Sequence, residues 1–349
     1  MSDARTGIRL SRRAALAGAA ALVGSAALPA FADEKKVVVG TWGGDYARLL
    51  NKNIEAPFLQ SKGIEVLQDI ASDEPRRNKM IAEKRLPRGT TDVQGLSQLN
   101  VAQMVEVDVL EKLDYGKLAN AKHILPQLRF DYAVPHIYSG LVVLYNPKLI
   151  DPAPSGIADL FEAKNAGKVG VIDIQYQWTL MAAALVGGGS MSNFEPGKAK
   201  LMELKARGVK IYPTNEALAQ ALKTEEIGLC VMWKARAVQW QNAGINVKTI
   251  APKEGVPLYI SLLAIPKNAP HKEEAYLYLD ASLEPEAQVN FALDMGYNPV
   301  VDDAAPPAEV TARIGFNEEE RSRLVNPDAD YIVKNDAQLK DWWDKVFKS

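Results

Sequence analysis

The sequence predicts an α/β protein in which two doubly wound lobes are joined by two crossings of the chain. Short runs rich in β-branched residues alternate with amphipathic runs, which is typical of parallel sheets flanked by helices. Two extended runs, 136–146 and 256–266, are longer than a strand of a small sheet needs to be. We expect each to pass from one lobe to the other, leaving a hinged cleft that suits a small molecule.

The stretch 37–46 opens the first lobe. Its three consecutive valines predict a buried strand, and the following Gly43-Gly44 pair predicts a turn into a helix. Because ligands of open α/β sheets bind at the carboxyl ends of strands, Trp42, Asp45 and Tyr46 are candidate binding residues. The alternative is that the glycines only permit a tight turn while Trp42 packs in the core.

The remaining elements continue this alternation through both lobes. Further strands are predicted at 64–70, 91–96, 168–172, 209–212, 227–232 and 247–250. Helices are predicted at 75–86, 177–186, 196–206, 217–223, 271–283 and 284–295, and the segment to Ser349 is mainly helical. Ser97 is the predicted N-cap of another helix that runs through Val107. Since it follows a strand directly, Ser97 is also a candidate binding residue.

Residues 1–32 are typical of a targeting peptide and are set apart from the fold. Arg12-Arg13 precedes a weakly apolar run rich in Ala and Gly, and Ala30-Phe31-Ala32 matches the small-x-small pattern of a cleavage site before Asp33. Paired arginines and weak hydrophobicity indicate twin-arginine export, and the interrupted run argues against a permanent membrane span. We expect a periplasmic protein whose mature chain begins at Asp33.

Charge and cysteine content restrict the partners and the chemistry. The 41 basic and 43 acidic residues are interspersed, and without a polybasic block the chain is not expected to bind nucleic acid. The single cysteine, Cys230, lies in an apolar run that predicts a buried strand. We therefore expect Cys230 to be a core residue and not a nucleophile.

Motifs of common enzymes are missing from the sequence. Its three histidines lie far apart, and no His-x-x-x-His or Cys-x-x-Cys spacing predicts a metal site. There is no Gly-x-Ser-x-Gly elbow and no Gly-x-Gly-x-x-Gly fingerprint, and Gly187-Gly188-Gly189-Ser190 lacks the continuation of a phosphate-binding loop. We predict a protein without catalytic residues, cofactor or metal.

Aromatic side chains recur at the predicted strand ends and on the two crossings. Such side chains form rigid apolar walls and hold cations against their ring faces, while a few polar groups fix the orientation of a ligand. Besides Trp42 and Tyr46, the candidates are Tyr138, Trp178, Trp233, Tyr259 and Tyr297. For each of them, packing in a core is the alternative.

Basic residues at two predicted helix starts are candidates for binding an anion. Lys234 and Arg236 follow Trp233, and Arg76 and Arg77 lie near the start of an earlier helix. A guanidinium beside free helix N–H groups suits a carboxylate or a phosphate. The alternative is that all four are solvated surface charges.

Six stretches of the chain carry a resemblance to a known family: Thr41–Tyr46, Tyr145–Pro147, Val231–Trp233, Ala251–Gly255, Leu263–Ala269 and Met295–Pro299. The sequence resembles the extracellular solute-binding proteins of ABC importers, in particular the spermidine- and putrescine-binding group with its iron- and thiamine-binding relatives. The resemblance implies a two-lobed type II periplasmic-binding-protein fold, with residues 33–138 and 260–304 in lobe 1 and residues 139–259 and 305–349 in lobe 2. It also implies a monomer that delivers its solute to a cognate ABC permease in the inner membrane.

The resemblance assigns roles to single residues as well. Trp42 and Tyr46 match aromatic residues that flank a bound polyamine, and Asp45 falls near the acidic residue between them. Three further residues fall on the aromatic wall of that group, namely Trp233, Tyr259 and Tyr297.

Two departures from the polyamine pattern affect the expected ligand. Where polyamine binders carry carboxylates, this chain has Gln177 and Ser261, and Asp173 lies slightly before the first position. An unpaired buried charge costs on the order of several kcal/mol, so a polyamine would be bound weakly. The site is therefore polyamine-like in outline but favours an organic anion or a zwitterion, with the anionic group near Arg236 and an amine on Asp45.

Other members and other functions give further alternatives. Iron binders of this superfamily use adjacent tyrosines, and no Tyr-Tyr pair is present here, so direct iron binding is not expected. The same scaffold could also serve as a sensor subunit that presents its ligand to a membrane receptor, or as an exported enzyme.

Overall fold

Strands and helices alternate through most of residues 35–349, which are the residues that the computed structural model describes. The strands are β1 (Lys36–Thr41), β2 (Glu65–Ile70), β3 (Val93–Ser97), β4 (Val134–Tyr145), β5 (Gly170–Ile172), β6 (Lys210–Tyr212), β7 (Leu229–Trp233), β8 (Lys248–Ile250), β9 (Val256–Ala264) and β10 (Leu324–Val325). The helices are α1 (Asp45–Leu50), α2 (Asp73–Glu83), α3 (Gln98–Glu106), α4 (Tyr176–Gly187), α5 (Glu195–Ala206), α6 (Asn215–Lys223), α7 (Lys234–Asn242), α8 (Lys272–Ser282), α9 (Pro285–Met295), α10 (Ala308–Ile314), α11 (Glu318–Ser322) and α12 (Ala329–Trp342). The predicted strands and helices are thus present, with bounds shifted by a few residues.

The long strands β4 and β9 join the two halves of the central sheet. Its order is β2-β1-β3-β9-β4-β7, with β8 beside β4 and β10 beside β9. β1 is parallel to β2 and β3, whereas β9 runs antiparallel to both β3 and β4. In the β4–β9 pair, Tyr138 lies opposite Ile260 and Ser139 lies opposite Tyr259. The two predicted crossings are therefore neighbouring antiparallel strands of one sheet.

Two hydrophobic cores lie at opposite ends of the crossing strands, since β4 contributes Val134 and Ile137 to the first core and Leu141–Tyr145 to the second. The first includes residues of β1, β3, α8 and α9 and contains the fully buried side chains of Leu50 and Phe291. The second includes residues of β7, α4 and α12 and contains those of Met181 and Trp343. Burial of one such side chain contributes about 1.5–3 kcal/mol, so each core stabilises the elements around it. We call the parts around the first and second cores lobe 1 and lobe 2.

Two helices of lobe 1 differ from the predicted ones. α2 begins at Asp73, two residues before the predicted Pro75, because an acidic first turn is favoured by the helix dipole. α1 continues as a π-helical segment, Asn51–Leu59, which contains Pro57. Since proline has no backbone N–H and its ring collides with the preceding turn, a regular α-helical hydrogen-bond pattern cannot pass through this position.

The predicted export signal at 1–32 lies outside the described residues. Within residues 35–349, no helix is both long and apolar enough to cross a membrane. The free cysteine, Cys230, is fully buried on β7, which confirms its prediction as a core residue.

Candidate functional site

The loop between β1 and α1 turns its aromatic residues and its carboxylate in different directions. Gly44 has φ 67° and ψ −140°, a conformation that glycine adopts readily and other residues avoid. After this turn, the buried ring of Tyr46 meets Trp42 edge-on, with ring centroids 5.2 Å apart. The Asp45 carboxylate instead pairs with Arg48 on its own helix, and its side chain is 73% exposed. Trp42 and Tyr46 therefore face the protein, whereas Asp45 faces solvent.

The buried guanidinium of Arg76 packs against Trp42 and joins the ends of β1 and β3. Its Cζ lies 4.7 Å from the centroid of the Trp42 ring, and its side chain is only 1% exposed. The guanidinium donates to the carbonyls of Gly40 (3.3 Å) and Gly95 (2.6 Å) and pairs with Asp73 at 3.0 Å. Arg76 is thus a structural cation with its donors in use, and the alternative of a solvated surface charge is wrong for this residue.

The hydroxyl of Tyr46 is part of a small buried hydrogen-bond network. It is hydrogen-bonded to Nδ1 of His136 at 2.8 Å and to Oγ of Ser261 at 3.3 Å. Burial raises the pKa of the Tyr46 phenol and lowers the pKa of His136 to about 3, so both groups are neutral at pH 7. Ser261, predicted as a binding residue, is fully buried here and helps to fix the position of Tyr46.

Four of the predicted aromatic residues form one group, which we call the aromatic cluster: Trp178, Trp233, Tyr259 and Tyr297. Trp233 at the end of β7 stacks on Tyr259 of β9, with ring centroids 4.7 Å apart and 23° between the ring planes. Trp178 of α4 meets Trp233 edge-on at 4.6 Å, and Tyr297 lies 6.3 Å from Tyr259. Trp178 and Trp233 belong to the second core and Tyr297 to the first, while Tyr259 packs against both. The cluster therefore lies where the two lobes meet.

One acidic and one basic side chain act on the phenol of Tyr259. Burial raises the pKa of Tyr259 well above its usual value, the Asp73 charge adds to the rise, and the Arg236 guanidinium opposes it. Arg236 likewise opposes the rise that burial causes in the pKa of Tyr297. Nη1 of Arg236 donates to Gln239 at 3.0 Å, and its buried Nε has no hydrogen-bond partner among residues 35–349. Arg236 therefore carries a guanidinium donor that no described residue uses.

Asp73 supplies the carboxylate that Asp45 does not. Burial raises the pKa of the Asp73 carboxyl, and the charges of Arg76 and Arg77 oppose that rise. Its side chain remains 38% exposed, so a cationic group of a ligand can reach it. The sequence did not single out Asp73, because the predicted helix began at Pro75 and left this residue in the preceding loop.

Tyr138 lies apart from the aromatic cluster, on the opposite face of β4. Residues directly opposite in an antiparallel pair share a face, and successive residues of a strand alternate between faces. Because Ser139 is opposite Tyr259, the side chain of Tyr138 points away from Tyr259. Tyr138 lines a separate cavity of about 580 Å³ together with Leu258 and Arg321.

The predicted binding residue Gln177 is hydrogen-bonded to a carboxylate of the C-terminal helix α12. Its Nε2 donates to Oδ1 of Asp336 at 2.6 Å, and the hydroxyl of Tyr176 donates to the same oxygen. Asp173, the acidic residue predicted near this position, accepts from Nε1 of Trp343 at 2.7 Å and from a lysine of the C-terminal segment. The sequence carried no signal for Asp336, since 159 positions separate it from Gln177.

Two other predicted residues have contacts that stabilise the fold. Oγ of Ser97 accepts from the backbone N–H of Asn100 at 3.2 Å, which confirms that Ser97 caps α3. Lys234 at the start of α7 donates to the carbonyl of Gly315, and its ammonium lies 4.7 Å from the centroid of the Phe316 ring. A third group lies at the surface, where Nδ1 of His123 is hydrogen-bonded to Asp302 at 3.0 Å and Nε2 lies 3.3 Å from a carboxylate oxygen of Asp303.

Comparison with known proteins identifies the family. The sequence profile of bacterial extracellular solute-binding proteins matches residues 56–318. The chain therefore belongs to this family, and its members bind solutes and are not enzymes. This confirms the resemblance found in the sequence.

Individual relatives agree with the family. The spermidine/putrescine-binding periplasmic protein of Escherichia coli is 26% identical over 297 residues, which cover 80% of this chain and 81% of that protein. A putrescine-binding periplasmic protein of Pseudomonas aeruginosa is 28% identical over 296 residues, which cover 76% of this chain and 78% of that protein. A solved ABC-transporter substrate-binding protein of Bradyrhizobium japonicum superposes with a TM-score of 0.79 at 21% identity, covering 90% of this chain and 99% of that chain. The predicted two-lobed type II fold is confirmed.

Proposed function

We propose that this protein is the periplasmic solute-binding component of an ABC importer, which captures a small polar solute between its lobes and delivers it to an inner-membrane permease. The observation that carries the proposal is the aromatic cluster, because it draws side chains from both cores and from a crossing strand. Aromatic faces at such a place can hold the carbon chain of a solute and a cationic group at its end. The two relatives named for binding spermidine or putrescine support a solute of this size.

We further propose the lobe boundaries expected from the sequence, 33–138 with 260–304 and 139–259 with 305–349. The membership of the two cores supports them: the first core draws on 37–137 and 258–301, and the second on 141–256 and 316–347. The exceptions are Leu99 in the second core, and Ala235 and Leu258 in the first; Leu99 and Ala235 lie at helix starts, and Leu258 lies on the crossing strand β9 next to the boundary. Cleavage before Asp33, twin-arginine export and a monomeric state complete the proposal, and N-terminal sequencing of the exported protein and its size-exclusion mass test them.

The binding residues that the geometry supports best are Trp42, Tyr46, Arg236 and the aromatic cluster. Ser97, Tyr138, Gln177 and Ser261 have contacts of their own, so we assign them supporting roles. Because Asp45 is exposed and paired with Arg48, we propose that Asp73, and not Asp45, binds the amine of the solute.

The two charges beside Tyr259 suggest the class of solute. Asp73 offers a carboxylate, and Arg236 offers a guanidinium whose Nε has no partner among the residues that the structure describes. Asp73 is already paired with Arg76 and is 38% exposed, so an amine of the solute adds a second cationic partner there, while a carboxylate satisfies the unused Nε donor of Arg236. We propose a zwitterion, with its amine toward Asp73 and its carboxylate toward Arg236. A polyamine, which the relatives suggest, is the second candidate.

Three probes of equal chain length separate these candidates. Putrescine carries two amines, γ-aminobutyrate one amine and one carboxylate, and succinate two carboxylates, all on four carbons. Titration calorimetry and thermal unfolding of the mature protein compare them, since a solute at about 100 times its Kd stabilises the folded state by about 2.7 kcal/mol. We expect γ-aminobutyrate to give the largest effect of the three.

Variants assign the two ends of the solute. Arg236→Gln should remove the advantage of γ-aminobutyrate over putrescine, and Asp73→Asn should remove its advantage over succinate. Asp45→Asn is the matched control and should leave all three affinities unchanged. A preference for putrescine would favour the polyamine candidate, and a loss of binding in Asp45→Asn alone would contradict our placement of the amine. If no probe and no member of a wider panel of amino acids, organic acids and polyamines binds, the protein is not a receptor for small solutes.

A further inference from the structure

The C-terminal helix α12 places one carboxylate between the two lobes. α12 belongs to lobe 2, because its side chains Ile332 and Leu339 are buried in the second core. Asp336 lies between them in sequence, on a part of the helix that packs beside α3. α3 follows β3 and contributes Val101 and Met104 to the first core. Asp336 is therefore a lobe 2 residue in contact with a lobe 1 helix.

The two oxygens of Asp336 accept hydrogen bonds from different lobes. Oδ1 accepts from the hydroxyl of Tyr176 and, at 2.6 Å, from Nε2 of Gln177, both at the start of α4 in lobe 2. Oδ2 accepts from Nε2 of Gln103 on α3 in lobe 1, at 3.0 Å. Gln103 is held in turn by Arg77 of α2, whose Nη1 donates to its Oε1.

The stabilisation of the Asp336 charge by hydrogen bonds therefore depends on the distance between the two lobes. Hydrogen bonds to an ionised carboxylate are roughly twice as strong as those between neutral groups. No lysine, arginine or histidine of residues 35–349 forms an ion pair with Asp336, so its charge depends on the three neutral donors. Moving lobe 1 away from lobe 2 would remove Gln103 from Oδ2 and leave the Arg77 donor chain without its carboxylate.

We propose that Asp336 is an interlobe latch that holds the cleft closed before any solute is bound. The proposal rests on the proposed function only in that it assumes the lobes open and close around a solute. A latch of this kind raises the population of the closed form in the solute-free protein. Apparent affinity rises with that population, because the measured Kd equals the intrinsic Kd divided by the fraction of binding-competent protein.

The same contacts permit an opposite interpretation, and the experiment must distinguish it from the latch. In this interpretation the donors around Asp336 bind an anionic group of the solute, and the Asp336 carboxylate occupies that position until the solute binds. In that case Asp336 competes with the solute, and its removal strengthens binding. If Asp336 is a latch, removal of its carboxylate opens the cleft and weakens solute binding.

Small-angle scattering of the solute-free mature protein is the primary measurement. Asp336→Asn keeps the shape of the side chain but removes its charge, and Gln103→Leu removes the partner from lobe 1. Both should increase the radius of gyration, and the double variant should add little to either, because they break one contact. Asp341→Asn is the matched control, since Asp341 lies on the same helix, is 58% exposed and pairs with Lys345. It should scatter like the wild type.

Affinity for γ-aminobutyrate gives the second measurement. Loss of one hydrogen bond to a charged group should shift the closed-to-open ratio roughly 10-fold or more, and Asp336→Asn should weaken binding in proportion to the lost closed fraction. Equal scattering of wild type and Asp336→Asn would overturn the latch, and so would tighter binding by Asp336→Asn. If the variants open the protein while no probe binds, the latch stands and the proposed class of solute fails.

Discussion

Acidification from pH 7 to pH 5 should destabilise this protein through a single buried imidazole, that of His136. His136 is fully buried, with Nδ1 hydrogen-bonded to Tyr46 and no partner for Nε2 among the residues that the structure describes. Burial lowers its pKa from 6.5 to about 3, so the folded protein keeps this imidazole neutral across the interval. In the unfolded chain the same imidazole is exposed and binds a proton below about pH 6.5.

The sign and the size of the effect follow from this difference. The unfolded state binds more protons than the folded state between pH 6.5 and about 3, so stability present above pH 6.5 is lost as the pH falls. One group that titrates only in the unfolded state changes the free energy of unfolding by about 1.4 kcal/mol per pH unit. Because the change begins near pH 6.5, the loss between pH 7 and pH 5 is about 2 kcal/mol.

Urea unfolding followed by tryptophan fluorescence measures this loss. The six tryptophans report on both lobes, and His136→Gln keeps a polar side chain of similar size that cannot be protonated. Because carboxylates also titrate in this range, the informative quantity is the difference in unfolding free energy between wild type and His136→Gln at each pH. We expect that difference in unfolding free energy to fall by about 2 kcal/mol from pH 7 to pH 5. Between pH 7 and pH 8 it should stay constant, which is the internal control.

A parallel pH dependence of wild type and His136→Gln would refute the reasoning. It would mean that His136 is protonated in the folded state or that the unfolded chain shields it equally. A gain in wild-type stability over the variant on acidification would contradict the sign of the burial effect.

Two further predictions concern other buried groups. Arg76→Met should lower the free energy of unfolding by about 3–5 kcal/mol, because it leaves Asp73 and two strand-end carbonyls without their donor. The control is Arg85→Met at an exposed position, which should change the free energy of unfolding by no more than about 0.5 kcal/mol. Urea midpoints measure both, and a mild effect of Arg76→Met would show that water replaces the guanidinium. Cys230 should resist Ellman's reagent in the native protein and react fully in guanidinium chloride, because burial raises the pKa of its thiol. Rapid labelling of the native protein would contradict its core position.

The secondary structure could be predicted closely because it depends on local patterns. The valines of β1 and the long apolar run of β9 predicted buried strands; Val37 and Val39 are fully buried, Val38 is half-buried, and β9 is buried except at Tyr259. The π-helical segment around Pro57 was not predicted, since the spacing of apolar residues continues unchanged across it while the hydrogen-bond pattern changes. Periodicity indicates which face of a helix is buried but not which carbonyl each N–H meets.

The aromatic residues of the candidate site and Arg236 were also predicted, whereas Asp73 was not. Trp233, Tyr259 and Tyr297 lie together as the resemblance implied. Asp45 was expected to face the ligand, but its helical phase directs it to solvent beside Arg48, one residue before the inward-facing Tyr46. Along a helix, successive side chains differ by about 100° in direction, so a shift of one residue moves a carboxylate from the cleft to the surface.

By itself the sequence determined the alternation of strands and helices, the two crossings and the resemblance to the family, and it predicted the aromatic residues of the candidate site. Only the tertiary structure decided that Arg76 is a buried structural cation, that Asp73 and Arg236 act on the same phenol, and that Asp336 meets Gln103 across the lobes. The physical reason is a difference of range. Local structure follows from the burial of side chains at regular spacing, whereas a hydrogen bond or ion pair requires two atoms within about 3–4 Å that distant segments bring together.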